Sequence, residues 1–211
     1  TATPKAMASV ILAASINLDA IAIVAKTSDD KIQVISDGYD LITIDASDLS
    51  LVESEKETTT ALIKGVAAGL KEHGHAVGGF KAYITSDVLI GAGLSSSAAF
   101  ETIIGTILSG LYNNGSVSAI EIAITGQYAE NVYFGKPCGL MDQMASSVGN
   151  LVHIDFADPA DPIVEKIDFD MAKSGYSLCI TDTKGSHVDL TADYAAVPAA
   201  GKLMYRPSGT G

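Results

Sequence analysis

Arginine is almost absent from this chain; the only one, Arg206, lies near the C-terminal end. The 211 residues hold 13 Lys and Arg against 25 Asp and Glu, a formal net charge of −12. That balance argues against a nucleic-acid partner, because a phosphate backbone is bound by basic patches and repelled by an acidic surface. Cysteine is scarce too: Cys138 and Cys179 are too few for a disulfide framework and are expected as reduced, buried thiols. Long apolar runs are missing, since Asn17, Asp19 and Lys26 break the longest ones, so no helix is expected to span a membrane. No N-terminal apolar run has a charged start and a small-residue cleavage site. The expected compartment is therefore the cytoplasm, and Asn114-Gly115-Ser116 reads as a turn rather than a glycan acceptor.

What is present is enough for a real core. Hydrophobic residues make up 47% and charged residues 18%, which excludes a disordered chain. The length suits one domain, or one domain and part of a second. Residues 9–26 are rich in Ala, Ile and Val and read as two adjacent strands turning near Asn17 and Asp19. Lys31 to Ser36 alternates with period two, as a half-buried strand does, and Leu41 to Ile44 and Phe80 to Ile84 read as further strands. Glu57 to His73 is helical, with apolar residues at Ala61, Leu62, Val66 and Leu70 and a stop at Gly74. His73 and His75 have no acidic or Cys partner at ligand spacing and read as a solvated helix end.

Helices are expected from about Ser95 to Tyr112 and from about Ser118 to Tyr133, the second opened by a capping box of Ser118 and Glu121. Met141 to Ser147 reads as a short helix, and Leu151 to Asp155, Ile163 to Ile167 and Ser177 to Asp182 read as strands. Strands, then two helices, then strands again is not the alternation of a Rossmann sheet. It predicts a mixed α+β domain with helices packed on a sheet.

The most informative stretch is Ile90-Gly91-Ala92-Gly93-Leu94-Ser95-Ser96-Ser97-Ala98-Ala99. Its glycines let the backbone turn tightly and approach a ligand. Serines follow where a helix begins, and a helix start offers unpaired N–H groups and the positive end of the dipole to an anion. It is not a Walker loop, since no Gly-Lys-Ser/Thr closes it, and Ser96 holds the last glycine position of a dinucleotide fingerprint. Spacing alone leaves two readings, a phosphate cradle or a plain turn and helix cap.

The run Gly91-Ala92-Gly93-Leu94-Ser95-Ser96-Ser97-Ala98 resembles the second motif of the GHMP small-molecule kinases, with Leu89 replacing the usual proline. A second run, Gly135-Lys136-Pro137-Cys138-Gly139-Leu140-Met141-Asp142-Gln143, resembles the galactokinase form within that family. The resemblance implies the GHMP N-terminal fold (ribosomal protein S5 domain 2-like). The expected division is residues 1–175 for this domain and 176–211 for the start of a second lobe.

The resemblance further implies ATP and Mg²⁺ as cofactors and galactose as the acceptor, phosphorylated on its anomeric hydroxyl. Residues Gly91 to Ala98 would wrap the phosphates, Ser97 and Glu130 would hold the metal, and Asp142 would accept or orient the hydroxyl proton. Gly139, Asp142 and Tyr194 would border the sugar. Without the motif, Asp142 would read as a helix cap and Glu130 as one helix carboxylate among many. His187 is expected as a loop residue, not a base.

The resemblance covers roughly residues 11 to 198. The family's first motif supplies an Arg near the transferred phosphate and acidic and His contacts to the sugar; Thr1 to Ser9 hold none of these. Lys136 or Lys184 is a poor copy of a bidentate Arg. No third, Gly-rich motif follows Pro198. The expectation is of a fragment with weak or absent turnover and some nucleotide binding, or alternatively a non-catalytic sugar- or nucleotide-binding module on the same fold.

Overall fold

The computed structural model describes residues 10–88, 93–158 and 161–181. Among the described residues, seven strands and four α-helices form in the order β1 (Val10–Ala14), β2 (Ala20–Lys26), β3 (Lys31–Ser36), β4 (Ile42–Asp45), α1 (Thr59–Glu72), β5 (Phe80–Ser86), α2 (Ser96–Tyr112), α3 (Ala119–Tyr128), α4 (Met141–Val148), β6 (Leu151–Asp155) and β7 (Ile163–Ile167). A π-helical stretch, Ala129–Phe134, continues α3 without a break.

The strands form two sheets instead of one. The larger has the order β2-β5-β3-β4, with β3 and β5 parallel and the other pairs antiparallel. The smaller, β1-β6-β7, is antiparallel throughout. The expected pairing of β1 with β2 therefore does not occur. Residues 15–19 carry the chain from one sheet to the other, so β1 lies along β6 and β2 along β5. Alternation marks a strand but does not name its partner.

Period-two patterning decides which face is covered. Ile32 and Val34 on β3 and Phe80 and Ile84 on β5 point inward, against Ile63, Val66 and Leu70 of α1 and Ile104 and Leu108 of α2. A second cluster joins Ala13 and Val152 with Ile154 on the small sheet to Ala123 of α3 and Met144 of α4. Helix α1 is buried along nearly its whole length because the large sheet covers one side and α3 with the π stretch covers the other. Its one embedded cation, Lys64, reaches Glu55 at 2.7 Å.

The helix ends follow capping chemistry. The Thr58 side chain accepts from the Ala61 N–H, and Gly74 leaves α1 with φ +85°. Ser118 accepts from the Glu121 N–H at 3.1 Å, but the reciprocal half of the expected capping box does not form. Glu121 turns instead to the end of α1, where its Oε1 lies 2.7 Å from His75 Nε2 and 3.5 Å from His73 Nδ1. No acidic partner stands near these histidines in the sequence; the fold supplies one from 46 residues away. Ser118→Ala is expected to cost about 1 kcal/mol, read as a lower urea midpoint at unchanged slope.

Two further expectations fail. Residues 176–181 form no strand, and the remainder of that segment lies outside the described residues. Cys179 is exposed and Cys138 half-buried, so neither is the fully buried thiol expected. Among the described residues no helix is long and apolar enough to cross a membrane.

Candidate active site

The site lies where α2, the π stretch and α4 begin. Gly93 has φ +75° and Ser95 φ +58°, a left-handed conformation rarely adopted by a residue with a side chain. That conformation prevents Ser95 from capping α2, since its side chain bonds none of the helix's N–H groups. The Ser95 hydroxyl donates instead to Asp142 Oδ2 at 2.6 Å, joining the mouth of α2 to the first turn of α4. Carboxylates are favoured at such a position by the helix dipole. The first turn of α2 keeps its N-terminal amides for an anion, with Ser96, Ser97 and Ala98 supplying its first residues.

A second contact lies two residues further along the chain. The Ser97 hydroxyl donates to Glu130 Oε1 at 3.2 Å, and the Lys136 ammonium approaches the same oxygen at 3.4 Å. An adjacent hydroxyl and carboxylate are hard oxygen donors, the set a small divalent cation takes together with phosphate oxygens and water. Glu130 lies on the π stretch, a helix type that recurs at functional sites.

The sequence runs on either side of Glu130 serve the loop that follows. Asn131 Oδ1 accepts from the Cys138 N–H at 2.6 Å, and Gln127 Nε2 donates to the Cys138 carbonyl at 3.2 Å. Residues 135–140 are thereby tied to the helix that carries Glu130. Burial, reinforced by Glu130, pushes the Cys138 thiol well above its usual range, so it stays protonated.

Behind these residues lies a network that sequence reading did not find. Glu101 on α2 is 0% exposed and Gln143 on α4 1% exposed. Gln143 Nε2 donates to Glu101 Oε2 at 3.1 Å and to Glu130 Oε2 at 3.0 Å. Burial, then the charge of Glu130, raises the Glu101 carboxyl from 4.5 to about 8, against the opposing hydrogen bond from Gln143. Glu101 shares the buried face of α2 with Ala98, Ile104, Gly105 and Leu108. An acidic residue in that register was the available signal.

A cleft of about 650 Å³ opens beside Asp142. Its walls are the end of β1 with residues 15–20, the Gly93–Ser95 turn, one side of α2 and the outer side of α4. Asp142 and Ser95 face this cleft, whereas Ser97 and Glu130 do not form its wall. Gly139 sits in the tied loop with open space where a side chain would be. Gly91, Ala92, Tyr194, Leu89, Lys184 and His187 lie outside the described residues.

Residues 61–150 match the family model described as the GHMP kinases N terminal domain. A galactokinase of Streptomyces coelicolor is 34% identical over 175 residues, 83% of this chain and 45% of that protein. One from Streptomyces lividans is 37% identical over 144 residues, 68% of this chain and 36% of that protein. Among solved structures, the galactose complex of Lactococcus lactis galactokinase superposes with a TM-score of 0.70, at 21% identity, over 95% of this chain and 53% of that one.

Residues 61–150 thus match the GHMP kinase N-terminal domain, and the fold is that of such a domain, with helices on mixed and antiparallel sheets. Both of these curated relatives are galactokinases. The chain spans less than half the length of either of these two relatives.

Proposed function

We propose that this chain forms the phosphate-binding half of an ATP-dependent galactokinase, which moves the γ-phosphoryl group of ATP to the anomeric hydroxyl of galactose. The observation that carries the reading is the 2.6 Å bond from Ser95 to Asp142, which sets a carboxylate beside an open helix N-terminus at the edge of a cleft. The runs containing both residues are those that resemble the kinase motifs, and the similarity to galactokinases supports the choice of sugar.

In this reading the backbone amides of residues Gly91 to Ala98 hold phosphate oxygens against the positive end of α2. Asp142 accepts the proton of the attacking hydroxyl, or orients it, from its place in the cleft wall. Gly139 and Tyr194 border the sugar. Ser97 and Glu130 are the residues that would hold Mg²⁺, and their paired oxygens fit it. When bound, that ion neutralises charge on the phosphate oxygens. Residues 1–175 form the domain that does this, and 176–211 begin the second lobe.

Coupled ADP-release measurement with galactose, alongside calorimetric titration of Mg·ATP, tests the reading. Mg·ATP is expected to bind, and galactose-dependent ADP release is expected to fall at least a hundredfold in Asp142→Asn, since general-base groups contribute about that much or more. Mg·ATP bound without any galactose-dependent release would leave a nucleotide-binding module on the kinase fold, and failure to bind nucleotide would remove both.

A further inference from the structure

We propose that Gln143 is a positioning residue that aims the Glu130 carboxylate at Ser97, and that Glu101 is the buried anchor fixing the Gln143 amide. This rests on the reading that Ser97 and Glu130 hold the metal.

The Gln143 amide nitrogen donates to Glu101 Oε2 and to Glu130 Oε2, with Cys138 Sγ a longer contact at 3.6 Å. Glu130 is consequently held at each oxygen from a different side. Oε2 accepts from Gln143 in the interior, while Oε1 faces Ser97 and Lys136. Rotation of the carboxylate away from Ser97 would break the buried bond and weaken the pairing of the Gln143 amide at a site 1% exposed, which is costly. Glutamine suits the position for a chemical reason. It supplies two donors between two carboxyl groups without adding charge, whereas a carboxylate there would only repel them and asparagine is a methylene shorter.

The backbone around the network is shaped to admit it. A Cβ on Gly126 of α3 would lie 3.0 Å from Glu101 Oε2 and 3.2 Å from Gln143 Cγ. A bare glycine is what lets α3 close over the pair. Three helices thus converge on one amide, and α3 leads directly into the π stretch that presents Glu130. Residues behind metal ligands commonly set ligand orientation, and their loss costs about 10–100-fold in metal affinity.

The test is the Mg²⁺ dependence of ADP binding by the whole chain, measured by calorimetry with EDTA and across a Mg²⁺ series. Gln143→Met keeps the volume and removes both donors. It is expected to bind ADP in EDTA within about twofold of wild type while its apparent Mg²⁺ affinity falls at least tenfold. A merely structural role would weaken ADP binding equally with and without the ion. Glu101→Gln keeps a strong acceptor for the Gln143 amide and should hold Mg²⁺ within about twofold of wild type, whereas Glu101→Met, which offers only a weak thioether acceptor, should weaken it severalfold. This second pair decides the matter if Gln143→Met does not fold. Unchanged Mg²⁺ affinity in Gln143→Met or Glu101→Met, with a Mg²⁺-dependent wild type, overturns this inference alone. A wild type that binds ADP without any Mg²⁺ dependence overturns it together with the assignment of Ser97 and Glu130.

Discussion

Gly65→Ala lowers the stability of this chain by about 2 kcal/mol, while Gly110→Ala raises it by up to about 1 kcal/mol. Both glycines lie inside α-helices, so alanine gains the same local advantage at each: less backbone freedom to lose on folding and no glycine penalty. The surroundings reverse the sign. A Cβ on Gly110 would meet nothing within 4 Å. One on Gly65 would stand 2.6 Å from the Ala129 Cα, 2.7 Å from its Cβ and 3.0 Å from the Tyr133 Cβ. The nearest of these atoms is backbone, so no side-chain rotation relieves the overlap and α1 must move from its neighbour. Urea titration of the two variants reads the difference directly; shifts of the same sign at both positions would show that the close approach of α1 is not real.

That approach matters beyond stability. Gly65 and Gly69 stand one turn apart on α1, and a Cβ on Gly69 would press on Thr125 at 2.7 Å. The two form a groove in which α3 and the π stretch lie. Since the π stretch carries Glu130 and Asn131, the small residues of α1 set the depth at which the elements of the proposed site rest. Gly65 is thus connected to the site through packing, although it touches none of the residues proposed to bind phosphate or metal.

Local chemistry was readable because it is local. Thr58, Gly74 and Ser118 mark helix ends by hydrogen bonds spanning a few residues, and the alternation in Lys31 to Ser36 reports a covered face whatever covers it. Partnership was not readable in the same way. Nothing in residues 9–26 tells that β1 joins β6, more than 130 residues on, because register across sheets is decided by packing. At the site, the pairings Ser95–Asp142 and Ser97–Glu130 join residues from runs that stood out by their motifs. The link between Glu101 and Gln143 came into view only once three helices were assembled, since a buried carboxyl acquires its character from neighbours supplied by distant segments.

Glu101→Gln is expected to make the chain more stable near neutral pH by a few kcal/mol and to leave it nearly unchanged at pH 4. The carboxyl titrates near 4.5 when unfolded and near 8 when folded. Below the first value it is protonated in both states and imposes no pH-dependent cost. As pH rises from 4.5 towards 8, the unfolded chain releases the proton and the folded chain keeps it. Stability therefore falls by about 1.4 kcal/mol per pH unit across that window, and the loss is complete above 8. Glutamine removes the titration and keeps the shape. Carboxylates of the opposite kind, such as Asp45, held low by Lys31 and Ser47, contribute stability that is lost on acidification. They are present in both proteins and cancel in the difference. Denaturant titrations of the pair from pH 4 to 8.5, in EDTA, should give curves that diverge from pH 4.5 upward. Parallel curves would mean that Glu101 ionises normally, and that the interior between α2, α3 and α4 is far wetter than its 0% exposure requires.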